Sequence, residues 1–277
     1  MLTRRWPEDY PDQGRLRDEI QAMVTALAGA VAEVFGEEHV RAVWFKGSAQ
    51  KEWQSPLDYV PALSDVDVHV RLSDEAAPNF RDLECALAVQ ESVERRFAEA
   101  MPEPLHMPRP QLNLVNELEQ NENYLASPAA IVQTISGARH EPGDYGDVEQ
   151  IRALDGAALI DNAREAQNIP NRAIDRPGKY LWDLLRALSW RVSPMGSRVL
   201  CVSGMDPEQA WSMNRTRILR ALRQQDELAD LANAWERYYL SAWGYFLAGH
   251  TDGAAGREAI ASASACLQLS GTYAQNV

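Results

Sequence analysis

Two kinds of sequence pattern divide this chain of 277 residues. Up to residue 126, apolar residues at helical spacing alternate with short β-rich runs. Beyond about Ser127 the strand patterns disappear, and helical patterns punctuated by glycine and proline dominate. This order predicts an α+β fold, with a small mixed sheet in an N-terminal domain (residues 1–126) and an all-helical C-terminal domain (residues 127–277).

The predicted elements follow from the period of the apolar residues. In the first domain we predict helices over 15–35 and 79–99, strands over 39–45, 65–72 and 111–115, and an irregular loop over 49–63. In the second domain we predict helices over 148–166, 180–192, 207–223, 228–247 and 257–269.

Composition narrows the range of partners. A formal net charge of −13 argues against a nucleic-acid partner, since binding to a phosphate backbone needs a basic surface. Three scattered cysteines indicate neither a disulfide framework nor a zinc site. Because no stretch is apolar enough for a signal peptide or a membrane span, we expect a soluble, cytoplasmic protein without a membrane partner.

Residues with the chemistry to bind phosphates and cations lie between positions 46 and 70. Gly47 lacks a Cβ, so its backbone can approach a phosphate, and the hydroxyl of Ser48 can donate to a phosphate oxygen. Asp65 and Asp67 lie two apart in Val-Asp-Val-His-Val, a period-2 pattern that places them on one face of a strand. Paired carboxylates are hard oxygen ligands suited to Mg²⁺, which usually reaches a site with substrate phosphates.

A strand, a Gly-Ser turn, a second strand with Asp-x-Asp and a helical C-terminal domain together resemble the DNA polymerase β-type nucleotidyltransferases. The arrangement is most similar to the small-molecule branch, which includes aminoglycoside nucleotidyltransferases. The resemblance implies that Gly47 and Ser48 bind the nucleotide phosphates. It also implies that Asp65 and Asp67 are catalytic ligands of two Mg²⁺ ions, and that a third acidic residue lies on a later strand.

The position of that third acidic residue has two candidates. Asn113 lies on the predicted strand where the family has Asp or Glu, and its amide oxygen can be a metal ligand but not a general base. Glu117 lies nearby and can take the catalytic place if the strand continues that far. Glu119 follows two residues later in the same stretch. Both alternatives remain open from the sequence.

Several basic residues are candidates for nucleotide binding. Lys46 precedes the Gly-Ser turn, and Lys51 follows it on the predicted loop. Lys179 lies beside a predicted helix start, where basic residues meet phosphates, although a solvated surface charge is the alternative reading of its position. His69 shares the aspartate face, and we expect it to be a partly exposed strand histidine.

These observations predict a metal-dependent nucleotidyltransferase. It would move a nucleoside monophosphate from an NTP, expected to be ATP, to a hydroxyl of a small-molecule acceptor and release pyrophosphate. The missing carboxylate gives an alternative, a catalytically impaired nucleotide-binding protein with a regulatory role. A macromolecular acceptor such as tRNA or a protein is a further alternative.

Overall fold

A computed structural model describes residues 8–277, and in that range the chain forms two compact units. The sheet unit comprises residues 8–51 and 64–143, and the helical unit comprises Glu52–Leu63 and Asp144–Val277. The α+β class predicted from the sequence is confirmed. The units follow different bounds from the predicted domains, because residues 127–143 belong to the sheet unit and residues 52–63 belong to the helical unit.

The sheet unit contains a four-stranded mixed sheet with strand order β3-β2-β1-β4. Its strands are β1 (Val40–Lys46), β2 (Asp65–Leu72), β3 (Arg109–Leu114) and β4 (Gln133–Gly137). Strand β1 is antiparallel to both β2 and β4, whereas β2 and β3 are parallel. The helices of this unit are α1 (Gln13–Phe35), α2 (Leu83–Ala100) and the single turn α3 (Val115–Leu118).

One face of the sheet is apolar and packs against a helix. Val66, Val68 and Val70 of β2 are fully buried, and α1 contacts both β1 and β2. Helix α1 presents Leu16, Ile20, Met23, Val24 and Leu27 as a buried stripe with the period of an α-helix. The aspartates therefore lie on the opposite, polar face, because successive side chains of a strand alternate between faces.

Strand β4 was not predicted, and the expectation that strand structure ends at about Ser127 is wrong. Its sequence, Gln-Thr-Ile-Ser-Gly, is mostly exposed and has no alternating apolar pattern. The strand exists because it pairs with β1 at the edge of the sheet. Such pairing depends on residues distant in the sequence, which a local pattern does not contain.

The helical unit contains α4 (Val148–Ala166), α5 (Ile169–Ala173), α6 (Leu181–Val202), α7 (Pro207–Ser212), α8 (Arg215–Leu222), α9 (Ala229–Leu247) and α10 (Gly253–Asn276). The helix predicted over 207–223 is two helices, because Asn214 caps the start of α8 by accepting from the Arg217 amide. Within residues 8–277, no helix combines the length and the apolar character needed to cross a membrane.

Aromatic side chains of α9 fill the core of the helical unit. Trp235, Tyr238, Tyr239, Trp243 and Tyr245 are at most 1% exposed. The indole of Trp235 donates to the Val192 carbonyl at 3.1 Å, which satisfies its polar group inside the core. The aromatic run is therefore packing, as its helical spacing indicates.

A buried carboxylate anchors the proline-rich connection between α2 and β3. Glu19 of α1 is 1% exposed and accepts from the Leu105 amide at 2.6 Å. Its second oxygen lies 2.7 Å from Nδ1 of His106. Burial acts to raise the pKa of Glu19, but the hydrogen bonds from His106 and Leu105 outweigh it and hold the pKa below its ordinary value.

This lowered pKa predicts a loss of stability in acid. The Glu19 carboxylate contributes fully above its ordinary pKa of 4.5, and the contribution disappears as the pH falls through the lower pKa of the folded state. We expect Glu19→Gln to melt at a lower temperature than wild type at pH 7, with the difference shrinking towards pH 3. Melting curves across this range test it, with the exposed Glu37→Gln as a control for losing one carboxylate. A difference between wild type and Glu19→Gln that is constant with pH would contradict the assignment.

Candidate functional site

A tight turn follows β1 at the polar face of the sheet. Gly47 has φ +84°, a left-handed conformation that favours glycine. Its carbonyl accepts from the Gln50 and Lys51 amides at 3.2 and 3.3 Å. Arg17 of α1 donates to the Ala49 and Lys51 carbonyls at 2.7 and 2.6 Å. The turn that carries Ser48 is therefore fixed to the first helix.

The Asp67 carboxylate packs directly against the Gly47 backbone. A Cβ at position 47 would lie 2.0 Å from Oδ2 of Asp67, a distance that forces one group to move. Lys46 and Asp67 are opposite each other in the antiparallel pairing of β1 with β2. The glycine, the lysine and the aspartate thus form one local cluster, as the sequence motif predicted.

Lys46 is a half-buried cation in this cluster. Burial lowers the pKa of Lys46, and the negative charge of Asp67 opposes that effect. Its Nζ donates to the Ser127 hydroxyl at 3.2 Å. The ammonium group of Lys46 therefore has partners on both sides, the Ser127 hydroxyl and the Asp67 charge.

Two residues of β3 lie beside the aspartates. The parallel register places Arg109 opposite Asp65 and Gln111 opposite Asp67. The Arg109 guanidinium forms an ion pair with Asp65, and both side chains are 14% exposed. In the amide orientation that satisfies its partners, Gln111 Nε2 donates to Asp65 Oδ2 at 2.7 Å and to Asp67 Oδ1 at 3.1 Å. Both carboxylates therefore already have hydrogen-bond or charge partners.

The cluster combines two acidic and two basic side chains. Asp65 and Asp67 balance Lys46 and Arg109, so the four formal charges of the cluster cancel. Among residues 8–277, no group of three or more His, Cys, Asp or Glu side chains is arranged to hold a metal. Two carboxylates with substrate phosphates are a common Mg²⁺ ligand set, whereas a second ion lacks the third carboxylate implied by the resemblance.

Neither predicted candidate for the third acidic position lies beside the aspartates. Asn113 pairs with His69, one step further along the strand face, and its Nδ2 donates to Gln111 Oε1 at 3.2 Å. Glu117 lies on α3, beyond the end of β3, where it binds Arg81 at 2.6 Å. The Arg81 guanidinium holds the pKa of Glu117 below its ordinary value. Glu119 likewise forms an ion pair with Arg71.

His69 is buried rather than partly exposed. Its side chain shares the aspartate face and is 5% exposed. Burial, with smaller effects from Lys46 and His140, lowers the pKa of His69 to about 3. The imidazole is therefore neutral at physiological pH and is a weak base.

The remaining predicted residues occupy different surroundings. Ser48 is the second residue of the turn and is half-buried. Lys51 ends the turn, with its carbonyl held by Arg17. Lys179 belongs to the helical unit, where it is exposed and its Nζ lies 5.4 Å from the centre of the Tyr180 ring. The structure thus groups Lys46, Gly47, Ser48, Asp65 and Asp67 within the sheet unit, whereas Lys179 belongs to the helical unit.

Sequence reasoning missed Arg109 and Gln111. Strand β3 begins at Arg109, two residues before the predicted start, and its pairing with β2 places Gln111 opposite Asp67. Pro110 argued against a strand that begins at Arg109, since proline is unusual within a strand. The signal available was the alternation Arg109, Gln111, Asn113, which places all three on one face.

The chain matches no known protein-family profile, no curated protein and no solved structure.

Proposed function

We propose that the sheet unit binds a nucleoside triphosphate, with ATP as the expected ligand, together with one Mg²⁺ ion carried by its phosphates. The observation behind this proposal is the packing of the Asp67 carboxylate against Gly47, opposite Lys46. A backbone without a Cβ, a cation and a carboxylate at one point are what a metal-bound polyphosphate needs.

The residues of the site have separate roles in this proposal. The Gly47–Ser48 turn receives phosphate oxygens through the backbone and the Ser48 hydroxyl. Lys46 balances phosphate charge from inside the site. Asp65 and Asp67 would hold the ion, which supplies neutralisation of the phosphate charge when bound. Arg109 releases Asp65 in that state and becomes available to a phosphate oxygen.

Gln111 favours nucleotide binding with impaired transfer. Gln111 lies opposite Asp67, and in this proposal its amide takes the place of a carboxylate that would accept a proton from an acceptor hydroxyl. His69 on the same face is a weak base, because its pKa is about 3. The site therefore has groups that bind phosphates and lacks a group suited to activating an acceptor.

Transfer of a nucleoside monophosphate to a small-molecule hydroxyl is the second candidate function. The pair of aspartates beside the Gly47–Ser48 turn favours it, since binding alone does not require two carboxylates on one face. The acceptor oxygen would bond to the α-phosphorus as the bond to pyrophosphate breaks, with the proton passing to water. A cytoplasmic location, where nucleoside triphosphates are abundant, belongs to the same proposal.

Calorimetric titration with ATP tests the binding proposal. We expect wild type to bind ATP in the presence of Mg²⁺, and Asp67→Asn to lose most of that affinity because it removes the charge beside the turn. Asp161→Asn, an exposed aspartate of α4, is the matched control and should bind as wild type does. Absence of ATP binding by wild type, or equal binding by Asp67→Asn, would refute the proposal.

Restoring a carboxylate beside Asp67 should restore transfer. We expect Gln111→Glu to increase Mg²⁺-dependent pyrophosphate release by at least about a hundredfold, the usual contribution of a general base. The assay uses ATP with a panel of amino sugars and polyols. Asn113→Asp, which adds the same charge one step along the strand face, is the control and should have no such effect. Equal rates for wild type and Gln111→Glu would show that position 111 does not limit transfer.

A further inference from the structure

The loop between the two motifs of the nucleotide site belongs to the helical unit. We call residues Glu52–Leu63 the inserted loop. It starts four residues after Ser48 and ends two residues before Asp65. Its hydrogen bonds to the helical unit therefore act on a segment whose two ends lead directly into the site.

A buried carboxylate organises the inserted loop. Asp58 is 1% exposed. Its Oδ2 accepts from the Gln54 amide at 2.7 Å and from the Ser55 amide at 3.1 Å. The same carboxylate accepts from Thr216 of α8, at 2.8 Å from the amide and 2.7 Å from the hydroxyl. The Thr216 hydroxyl also lies 2.7 Å from the Ser55 hydroxyl. The Thr216 hydroxyl therefore contacts two side chains of the loop, those of Asp58 and Ser55.

Backbone carbonyls of the loop are held by side chains of the helices. Trp243 Nε1 donates to the Pro56 carbonyl at 2.7 Å, and Asn214 Nδ2 donates to the Glu52 carbonyl at 2.9 Å. Arg215 donates to the Leu57 carbonyl at 3.2 Å, while its guanidinium lies 4.3 Å from the Tyr239 ring centre. A surface loop rarely needs this many buried partners, since loop backbones are usually satisfied by water.

We propose that Thr216 and Asp58 are positioning residues for the nucleotide site, acting through the inserted loop. The hydrogen bonds within the loop and from Thr216 hold the spacing between its two ends, which continue along the chain into the Gly47–Ser48 turn and Asp65. Nucleotide binding and order in the loop then favour each other, because a coupling between two equilibria is reciprocal. This inference rests on the nucleotide site proposed above and identifies Thr216 and Asp58 as residues that position it.

Thr216→Val tests the inference because it removes the hydroxyl and keeps the side-chain shape. We expect its dissociation constant for ATP with Mg²⁺ to rise at least about fivefold, at the lower end of measured couplings. Thr216→Ser should restore wild-type affinity. Ser197→Ala removes a hydroxyl of the helical unit that is equally buried but donates to Ala210, and it should leave the affinity unchanged. If Thr216→Val does not fold, Ser55→Ala breaks the same pair from the other side.

Hydrogen exchange without any nucleotide separates this inference from the proposed function. The Gln50 and Lys51 amides are both bonded to the Gly47 carbonyl. We expect them to exchange faster in Thr216→Val than in wild type, and at the wild-type rate in Ser197→Ala. If the two amides exchange faster in Thr216→Val although wild type binds no ATP, the nucleotide proposal is refuted and the coupling is supported. Equal exchange and equal affinity in Thr216→Val and Ser197→Ala would refute the coupling.

Discussion

Gly47→Ala should lower the affinity for ATP by at least about tenfold, since displacing the turn costs a hydrogen bond to a charged phosphate, worth about 1.5–3 kcal/mol. The new Cβ would lie 2.0 Å from Oδ2 of Asp67, so the carboxylate or the turn must move. The variant also pays for a left-handed alanine at φ +84°, at a cost of about 1–2 kcal/mol. Titration calorimetry measures the loss of ATP affinity, and urea unfolding measures the loss of stability.

Gly204→Ala is a matched control for this substitution. Gly204 also has a positive φ, +100°, but a Cβ there has no neighbour within 4 Å. The control therefore carries the backbone strain without the clash, and we expect a loss of stability with unchanged ATP affinity. Equal ATP affinity of Gly47→Ala and Gly204→Ala would contradict a role for the close packing of Asp67 against Gly47.

Asp58→Ala should destabilise the protein by about 3–5 kcal/mol, as expected when a buried charged group with several partners is removed. The substitution leaves the Gln54, Ser55 and Thr216 amides without their acceptor, and the surroundings of the Ser55 and Thr216 amides are buried. Each stranded buried donor costs about 1–3 kcal/mol. Arg215 also stays buried in the same network, at 6% exposed.

Urea unfolding with Asp161→Ala as the comparison tests this expectation. Asp161 is an exposed residue of the same unit, and its loss should change stability by no more than about 0.5 kcal/mol. Similar unfolding midpoints for Asp58→Ala and Asp161→Ala would mean that the loop is not held by this carboxylate.

Local pattern was sufficient for much of the sheet unit. The alternation in Asp65–Leu72 predicted both the strand and the face on which its aspartates lie, because one face must be apolar to pack against α1. The turn at Gly47 was also predicted from residue type, since few other residues adopt its conformation. These features depend on residues close together in the sequence.

Features that depend on pairing between distant segments were not predicted. Strands β2 and β3 are separated along the chain by α2 and by the segment held by Glu19, so their register cannot be read from a local pattern. That register places Gln111 opposite Asp67 and Asn113 opposite His69. The same reason accounts for β4 and for the assignment of the inserted loop to the helical unit.

The inserted loop also determines how the chain can be divided. Within the described residues the backbone passes between the two units after residues 51, 63 and 143. A fragment that begins at Asp144 would contain Asn214, Arg215 and Trp243 without the carbonyls they bind. A gene truncated at a single point therefore cannot encode the helical unit alone, and any separately expressed version must carry residues 52–63 with it.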